Sequence, residues 1–317
     1  MSKYLVTGGA GFIGSHLTEE LVRRGHTVRV ADSLITGKRS NLDHINGVEF
    51  LEGDLADEAF ARRAVEGGID YVLHQAAIPS VPRSVKDPIT SNRANVDATL
   101  NVLVAARDAK VKRLVFAGSS SAYGNTPTLP KHEGMATNPL SPYALQKVIG
   151  EQYLRMFTTL YGLETVSIRY FNVFGPRQDP TSPYSGVISV FATALIENRS
   201  PKIYGDGEQT RDFTYVANVV DGVLRACEAT GASGEVINVA TAGRISLNDL
   251  FRTMRGIVGG QVEPTYVEPR AGDVKDSQAD ISKAQRILGY TPIVSFEDGL
   301  RQTISWYRSA TAAGATA

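Results

Sequence analysis

One cysteine, one tryptophan and no net charge are what most constrain this sequence of 317 residues. Cys227 has no second thiol to pair with, so no internal disulfide can form, and a reducing compartment, the cytoplasm, is the expected location. Lys and Arg together number 33, as do Asp and Glu. That balance lacks the basic face a nucleic acid requires of its partner. Apolar runs fall far short of the roughly 20 residues that span a bilayer. Met1 to Val6 leads straight to Gly8, without the apolar stretch and cleavage site of a secretory leader. Neither nucleic acid nor membrane is therefore an expected partner. The five histidines, His16, His26, His44, His74 and His132, show no metal-ligand spacing, and no metal is expected.

What is plentiful is glycine, at 30 residues, set in an alternating pattern. Short β-branched runs at 4–7, 27–31, 48–51, 71–74, 113–117 and 165–169 read as strands, and 12–24, 58–66, 89–109 and 142–161 between them read as helices. Alternation at this spacing predicts a doubly wound parallel sheet with right-handed crossovers. Gly25 and Gly162 stand just past two helices, where left-handed caps belong. Beyond about residue 175, Pro176, Pro180, Pro183 and Pro201 break the rhythm, and helices are expected at 187–198, 217–229, 247–258, 281–288 and 296–308. The fold class is α/β. It is read as a Rossmann-type dinucleotide-binding domain over 1–175 and a smaller C-terminal α/β substrate lobe over 176–317, with segments exchanged between them.

The first βα turn is Thr7-Gly8-Gly9-Ala10-Gly11-Phe12-Ile13-Gly14. Gly8, Gly11 and Gly14 give GxxGxxG, a relative of the dinucleotide fingerprint, with glycine where the chain turns sharply and approaches a pyrophosphate at a helix N-terminus. Alone, such a run also closes ordinary βα turns. Asp32, at the end of the second strand, adds a carboxylate placed to accept from the adenosine ribose, and it favours NAD over a 2′-phosphorylated cofactor. Lys38 and Arg39 nearby soften that preference. Asp54, in Gly53-Asp54-Leu55, either receives the adenine amino group or caps a turn.

Tyr143 and Lys147 share one helix face at i and i+4. A cation beside a phenol lowers its pKa and makes it a usable base, although YxxxK by itself is also common on plain helix faces. Ser119-Ser120-Ser121 follows the fifth strand, at the sheet edge where ligands of such folds bind. No GxSxG elbow is present, and hydrolase chemistry is not expected.

Taken in order, TGGAGFIG at 7–14, Asp32, GDL at 53–55, HQAA at 74–77, SSSAYG at 119–124, YALQK at 143–147, RYFNVFGPRQ at 169–178 and RDFTYV at 211–216 resemble the extended short-chain dehydrogenase/reductases that act on nucleotide sugars, most nearly the UDP-hexose 4-epimerases. The resemblance implies NAD as cofactor and a UDP-sugar as substrate. It implies Tyr143 as base, Lys147 as its partner and nicotinamide-ribose ligand, both beside the cofactor, and Ser119 as the companion hydroxyl. Gly8, Gly11, Phe12, Ile13 and Gly14 would meet the pyrophosphate, Asp32 the ribose, and Asp54 and Leu55 the adenine. Gln75, Ala76, Ala77, Asn95 and Tyr170 would stand beside the cofactor. Asn172, Arg211, Arg270 and Asp273 would hold the UDP portion, with Ser121 and Ser277 near the sugar. The implied reaction is reversible oxidation at carbon 4 through a 4-keto sugar.

Related dehydratases and decarboxylases carry carboxylates at the positions of Ser120 and Ser121. Their absence favours an epimerase, because elimination of water needs a further acid and base. A small residue at 277 resembles the subgroup that admits N-acetylated sugars, so UDP-GlcNAc and UDP-GalNAc are expected beside UDP-Glc and UDP-Gal. UDP-glucuronate 4-epimerase or decarboxylase, a sugar-nucleotide 4,6-dehydratase and a non-catalytic NAD-sensing scaffold remain as alternatives. Gly186 departs from the asparagine many epimerases carry. Surplus apolar positions at Ala94, Leu100, Val104, Leu145, Ile149, Leu154 and Phe157 predict a homodimer through these two helices.

Overall fold

The computed structural model describes residues 1–180, 186–269 and 275–312. In chain order the strands are β1 Lys3–Thr7, β2 Thr27–Asp32, β3 Val48–Glu52, β4 Tyr71–His74, β5 Arg113–Ser119, β6 Glu164–Tyr170, β7 Val173–Phe174, β8 Lys202–Tyr204, β9 Thr210–Arg211, β10 Thr214–Tyr215, β11 Glu235–Val239, β12 Ile245–Ser246 and β13 Thr265–Val267. The α-helices are α1 Phe12–Arg23, α2 Glu58–Val65, α3 Val81–Lys86, α4 Pro88–Asn92, α5 Ala98–Asp108, α6 Pro142–Tyr161, α7 Val187–Ile196, α8 Val216–Glu228, α9 Leu247–Val258, α10 Ser282–Leu288 and α11 Phe296–Ala312.

Seven strands pair in the order β11-β6-β5-β4-β1-β2-β3, every pair parallel. Strands covered on both faces must be apolar nearly throughout. Accordingly Leu5, Val6, Val30, Val72, Leu73, Leu114, Val115, Val166 and Ile168 are fully buried. The chain leaves β1 toward β2 on one side and later crosses from β3 back to β4 on the other. Strand order reverses between β1 and β4, and a crevice opens there at the carboxyl ends of the strands. β11 and α8 come from beyond residue 175 yet join this sheet, α8 packing on α1 and β5.

The expected helix over 89–109 is three pieces: α4, a π-helical turn over Arg93–Asp97, and α5. A π-turn widens the backbone to turn a side chain off its usual face, and here it carries Asn95. Gly25 and Gly162 adopt φ +80° and +70° beyond their helices. On the outer face of α6, Leu145, Met156 and Leu160 are about half exposed, and Ile89 on α4 is 83 % exposed. Leu154 and Phe157, expected on that face, are buried in the core between α2, α5 and α6. Helical spacing alone does not say which stripe turns inward. No helix among the described residues is long and apolar enough to cross a membrane, and the described residues hold no group of three or more His, Cys, Asp or Glu placed to hold a metal ion.

Candidate active site

The carboxyl edge of the sheet, the start of α6 and loops from the second half of the chain enclose a cavity of about 1570 Å³. A drug-sized ligand occupies roughly 300–1000 Å³, so the space suits a dinucleotide with a second molecule beside it.

One wall is mostly backbone. Gly8 has φ +65°, and a Cβ there would lie 2.7 Å from the amide nitrogen of Ala76. A Cβ on Gly14 would drive into the Gly8 carbonyl, so turn and helix close together only because both positions are glycine. Gly11 precedes α1 with no side-chain cap, and no acidic residue stands in the first turn. The free N–H groups and positive helix end are thus left for an anion. Phe12 and Ile13 line the space beside them. The Asp32 carboxylate accepts from Ala10 N at 2.9 Å and Leu34 N at 2.8 Å, which fixes its orientation at the cavity edge. Burial raises its pKa, against those backbone bonds. Of the cations that could greet a 2′-phosphate, Lys38 pairs with Asp179 at 3.4 Å and Arg39 lies 4.1 Å over the Phe50 ring.

Asp54 and Leu55 line the next stretch, and Asp54 accepts from Ala56 N at 2.9 Å, so it caps its turn while bordering the cavity. Gln75, Ala76 and Ala77 follow β4 along the wall. Gln75 Oε1 accepts from the Tyr170 hydroxyl at 2.9 Å, whereas its Nε2 is buried with no partner. A buried donor left open in this way suits an incoming ligand. Together with the glycine cradle and the uncapped α1, it makes a wall that fits NAD. Asn95 stands apart, because it does not line the cavity. From the π-turn its Oδ1 accepts from Ile78 N at 2.7 Å and its Nδ2 donates to Gln146 Oε1 at 2.8 Å, which pins the 75–80 loop from behind.

At the junction of the walls, β5 ends in Ser119 and α6 begins at Pro142. Ser141 caps that helix, its Oγ accepting from Ala144 N at 3.2 Å. Tyr143, Lys147, Ser119 and Ser121 all reach the cavity. Ser119 shares a hydrogen bond with the Tyr143 hydroxyl, and Ser121 Oγ donates to Ser119 Oγ at 2.8 Å. The sequence predicts a tyrosine pKa lowered by the lysine. In the structure burial raises the Tyr143 phenol above its usual range, and the bond to Ser119 acts against it. The Lys147 ammonium lies 5.9 Å from the Tyr143 ring centre, and burial pushes it down to about 8 while Glu151 holds it up. His74 is also buried, hydrogen-bonded to Thr7 at 2.7 Å and Thr99 at 3.0 Å, and burial followed by the Lys147 charge pushes its pKa down to about 3. It stays neutral and anchors the sheet edge.

Behind Lys147 is a pair the sequence reading did not single out. Glu151 takes Arg169 Nε at 2.8 Å and Nη2 at 2.7 Å, both side chains being buried. The guanidinium lies 4.5 Å over the Tyr123 ring, whose hydroxyl donates to Asn238 at 2.7 Å. The i,i+4 spacing of Lys147 and Glu151 was a readable signal for half of this network. Arg169 gave none, since it reads as one more strand residue.

The second wall is assembled from short pieces. Asn172, at φ +32°, donates to Asp212 O at 3.3 Å, and β7 pairs in parallel with β10 just beyond it. Arg211 donates to Thr210 O at 2.9 Å and Lys275 O at 3.1 Å, and Ser277 N donates to Thr210 O at 3.1 Å. Asn172, Arg211 and Ser277 all line the cavity. Arg270 and Asp273 lie outside the described residues. Lys131 also lines the cavity without any motif that announced it, and Gln178, the last residue of the RYFNVFGPRQ run, lines it without having been singled out.

A family model described as the NAD dependent epimerase/dehydratase family matches residues 4–240. A UDP-glucose 4-epimerase of Mycolicibacterium smegmatis is 40% identical over 309 residues, covering 96% of this chain and 98% of that protein. Among solved structures, a UDP-N-acetylglucosamine 4-epimerase from Methanobrevibacter ruminantium M1, in complex with UDP-N-acetylmuramic acid, superposes with a TM-score of 0.93 at 40% identity, covering 97% of this chain and 98% of that one. A variant UDP-glucuronic acid 4-epimerase from Bacillus cereus, in complex with NAD and UDP-4-deoxy-4-fluoro-glucuronic acid, gives a TM-score of 0.90 at 31% identity, covering 97% and 99%.

Proposed function

The chain belongs to the NAD dependent epimerase/dehydratase family and takes NAD as its cofactor, and on that premise we propose that it is an isomerase inverting carbon 4 of UDP-hexoses, UDP-Glc/UDP-Gal and UDP-GlcNAc/UDP-GalNAc. The observation that carries this reading is the want of a carboxyl group beside Tyr143. Among the described residues the carboxylates lining the cavity are Asp32, Asp54, Asp179 and Asp276. The first two belong to the glycine wall, Asp179 pairs with Lys38, and Asp276 takes Thr210 Oγ1 at 2.5 Å and Arg244 at 3.0 Å. Glu151 is locked on Arg169. A dehydratase needs a separate acid and base for elimination, and no carboxyl group among the described residues is placed to supply them.

In this reading Tyr143 takes the proton from the sugar 4-hydroxyl, and Ser119, bonded both to Tyr143 and to Ser121, keeps the phenol oriented. The Lys147 cation favours the phenolate. When bound, NAD supplies the reversible acceptor for the carbon-4 hydrogen and its electron pair. Arg211 and Asn172 grip the UDP portion, and Ser277 leaves space for an acetamido group. A sugar held only through its diphosphate can present either face to the same base, which is what inversion requires. The outer face of α6 with Leu145, Met156 and Leu160 is proposed as the homodimer contact.

Separate incubation with UDP-Glc, UDP-GlcNAc and UDP-GlcA, followed by separation of products, tests the reading. The 4-epimers of the first two are expected. A 4-keto-6-deoxy sugar or a pentose would overturn it.

A further inference from the structure

The second wall contains a buried cation that the neutral hexose ring itself does not call for. Lys131 lines the cavity and is only 2 % exposed. Its backbone is fixed on both sides: its N donates to Gln278 O at 2.8 Å, and its O accepts from Asp280 N at 2.8 Å and from Asn238 Nδ2 at 3.0 Å. It forms a parallel bridge with Ala279. Residues two apart on an extended chain face the same way, so Lys131 stands on the side of the bridge that carries Ser277.

The Lys131 ammonium donates to the Thr126 carbonyl and makes no other hydrogen bond or ion pair among the described residues. Burial holds its pKa below the ordinary lysine range. The carboxylates nearest along these segments are engaged elsewhere. Glu133 accepts from Asn238 N at 2.7 Å, Asp280 accepts from Ser282 N at 2.8 Å, and Asp276 is held by Thr210 and Arg244. An ammonium on a side chain only 2 % exposed, with one backbone acceptor and no ion pair among the described residues, is unfavourable on its own. Anchoring the 126–131 loop would require none of that charge. A ligand anion would relieve it, and the bridge to Ala279 sets Lys131 on the side that carries Ser277, the residue read as facing the sugar.

We propose that Lys131 is a specificity residue that binds a carboxylate on the substrate's sugar, so that the site admits a UDP-uronic acid and holds it more tightly than the neutral UDP-hexose. The proposal rests on the reading of this cavity as a UDP-sugar site. A charge-assisted hydrogen bond contributes about 1.5–3 kcal/mol, which corresponds to roughly tenfold or more in affinity.

The test is isothermal titration of the NAD-loaded protein with UDP, UDP-glucose, UDP-N-acetylglucosamine and UDP-glucuronate, on the wild type and on Lys131→Met, Lys131→Gln and Lys131→Arg. UDP-glucuronate is expected to bind the wild type at least about tenfold more tightly than UDP-glucose. Lys131→Met and Lys131→Gln should abolish that preference while UDP and UDP-glucose bind as before, and Lys131→Arg should retain it. Equal wild-type affinity for the neutral and anionic sugars would overturn the proposal and leave the epimerase reading intact. So would loss of UDP-glucose and UDP-glucuronate binding together in Lys131→Met, the mark of a loop anchor. Should Lys131→Met fail to fold, the wild-type preference and its retention in Lys131→Arg but not Lys131→Gln still decide. If UDP itself does not bind, both the proposal and the reading fall.

Discussion

The two walls of the cavity are made by different means. The wall built from β1, β2 and β4 presents backbone: the Gly8 turn, the uncapped start of α1, and an Asp32 carboxylate held by two main-chain N–H groups. The opposite wall presents side chains carried on two-residue strands and on loops tied together by short bridges, as the segment with Ser277 is to Thr210. A backbone wall is rigid and suits a cofactor that stays. A side-chain wall adapts, and suits a substrate that enters, turns and leaves. Tyr143 lies where they meet, on a long helix capped by Ser141.

If the walls only bind and the junction does the chemistry, Tyr143→Phe separates the two functions. Its kcat should fall by about 10²–10⁴, while titrations with NAD and with UDP remain at wild-type affinity. Weakened binding of either ligand in that variant would mean that Tyr143 belongs to a wall, and the division would fail.

Glycines sharpen the contrast at smaller effect. Gly14→Ala forces a Cβ against backbone that cannot yield. It should cost about 1–3 kcal/mol in urea unfolding and abolish NAD binding. Gly186 in the opposite wall has φ −60°, and a Cβ there would meet only the flexible Gln178 amide at 3.0 Å. Gly186→Ala should stay within about 0.5 kcal/mol of wild type. Equal losses in both would show that the second wall is as rigid as the first.

The same difference decides what was legible in the sequence. Gly8, Gly14 and Asp32 were readable because backbone geometry restricts residue type there: a Cβ at either glycine would strike backbone, and a carboxylate takes the main-chain donors of Ala10 and Leu34. The six leading strands and their helices were readable from periodicity. β11 was not foreseen, because its position is set by which edge of the sheet remains open and not by any local pattern. The π-turn at Asn95 was equally hidden, since helical spacing looks the same until one residue too many must be accommodated. In the second wall Lys131 carries no such signature. A lysine in a Pro-rich loop reads as solvated, and only the bridge to Ala279 buries it.

Lys147 gives a pH test of the junction. Its pKa is depressed to about 8 in the folded, cofactor-free protein, against an ordinary value near 10.4 when unfolded. Below pH 8 both states carry the proton, and between about 8 and 10 only the unfolded state does. Stability contributed through this group therefore rises with pH across that window. Activity needs the Tyr143 phenolate with the Lys147 cation beside it. With the phenol raised above its usual range and the ammonium near 8, the gain of one offsets the loss of the other, so kcat/KM should level off above about pH 8. Melting temperatures measured from pH 7 to 10 are expected to rise while kcat/KM levels off, and a kcat/KM that keeps rising with no gain in melting temperature would mean that Lys147 is charged throughout.

The smallest expected effect comes from an ion pair that ties the loop after β2 to the segment after β7. Lys38 and Asp179 approach to 3.4 Å with side chains 40% and 36% exposed. Water screens such a pair, so Lys38→Ala should change unfolding free energy by less than about 1 kcal/mol. Both residues line the cavity, however, so the pair links the two walls, and a contact too weak to matter for folding can still set how fast a ligand escapes. NAD dissociation, followed by fluorescence in low salt, should be faster in Lys38→Ala than in wild type. The two rates should converge as salt shortens the screening length toward about 3 Å at 1 M. An unchanged dissociation rate at low salt would mean that the walls hold their ligands independently.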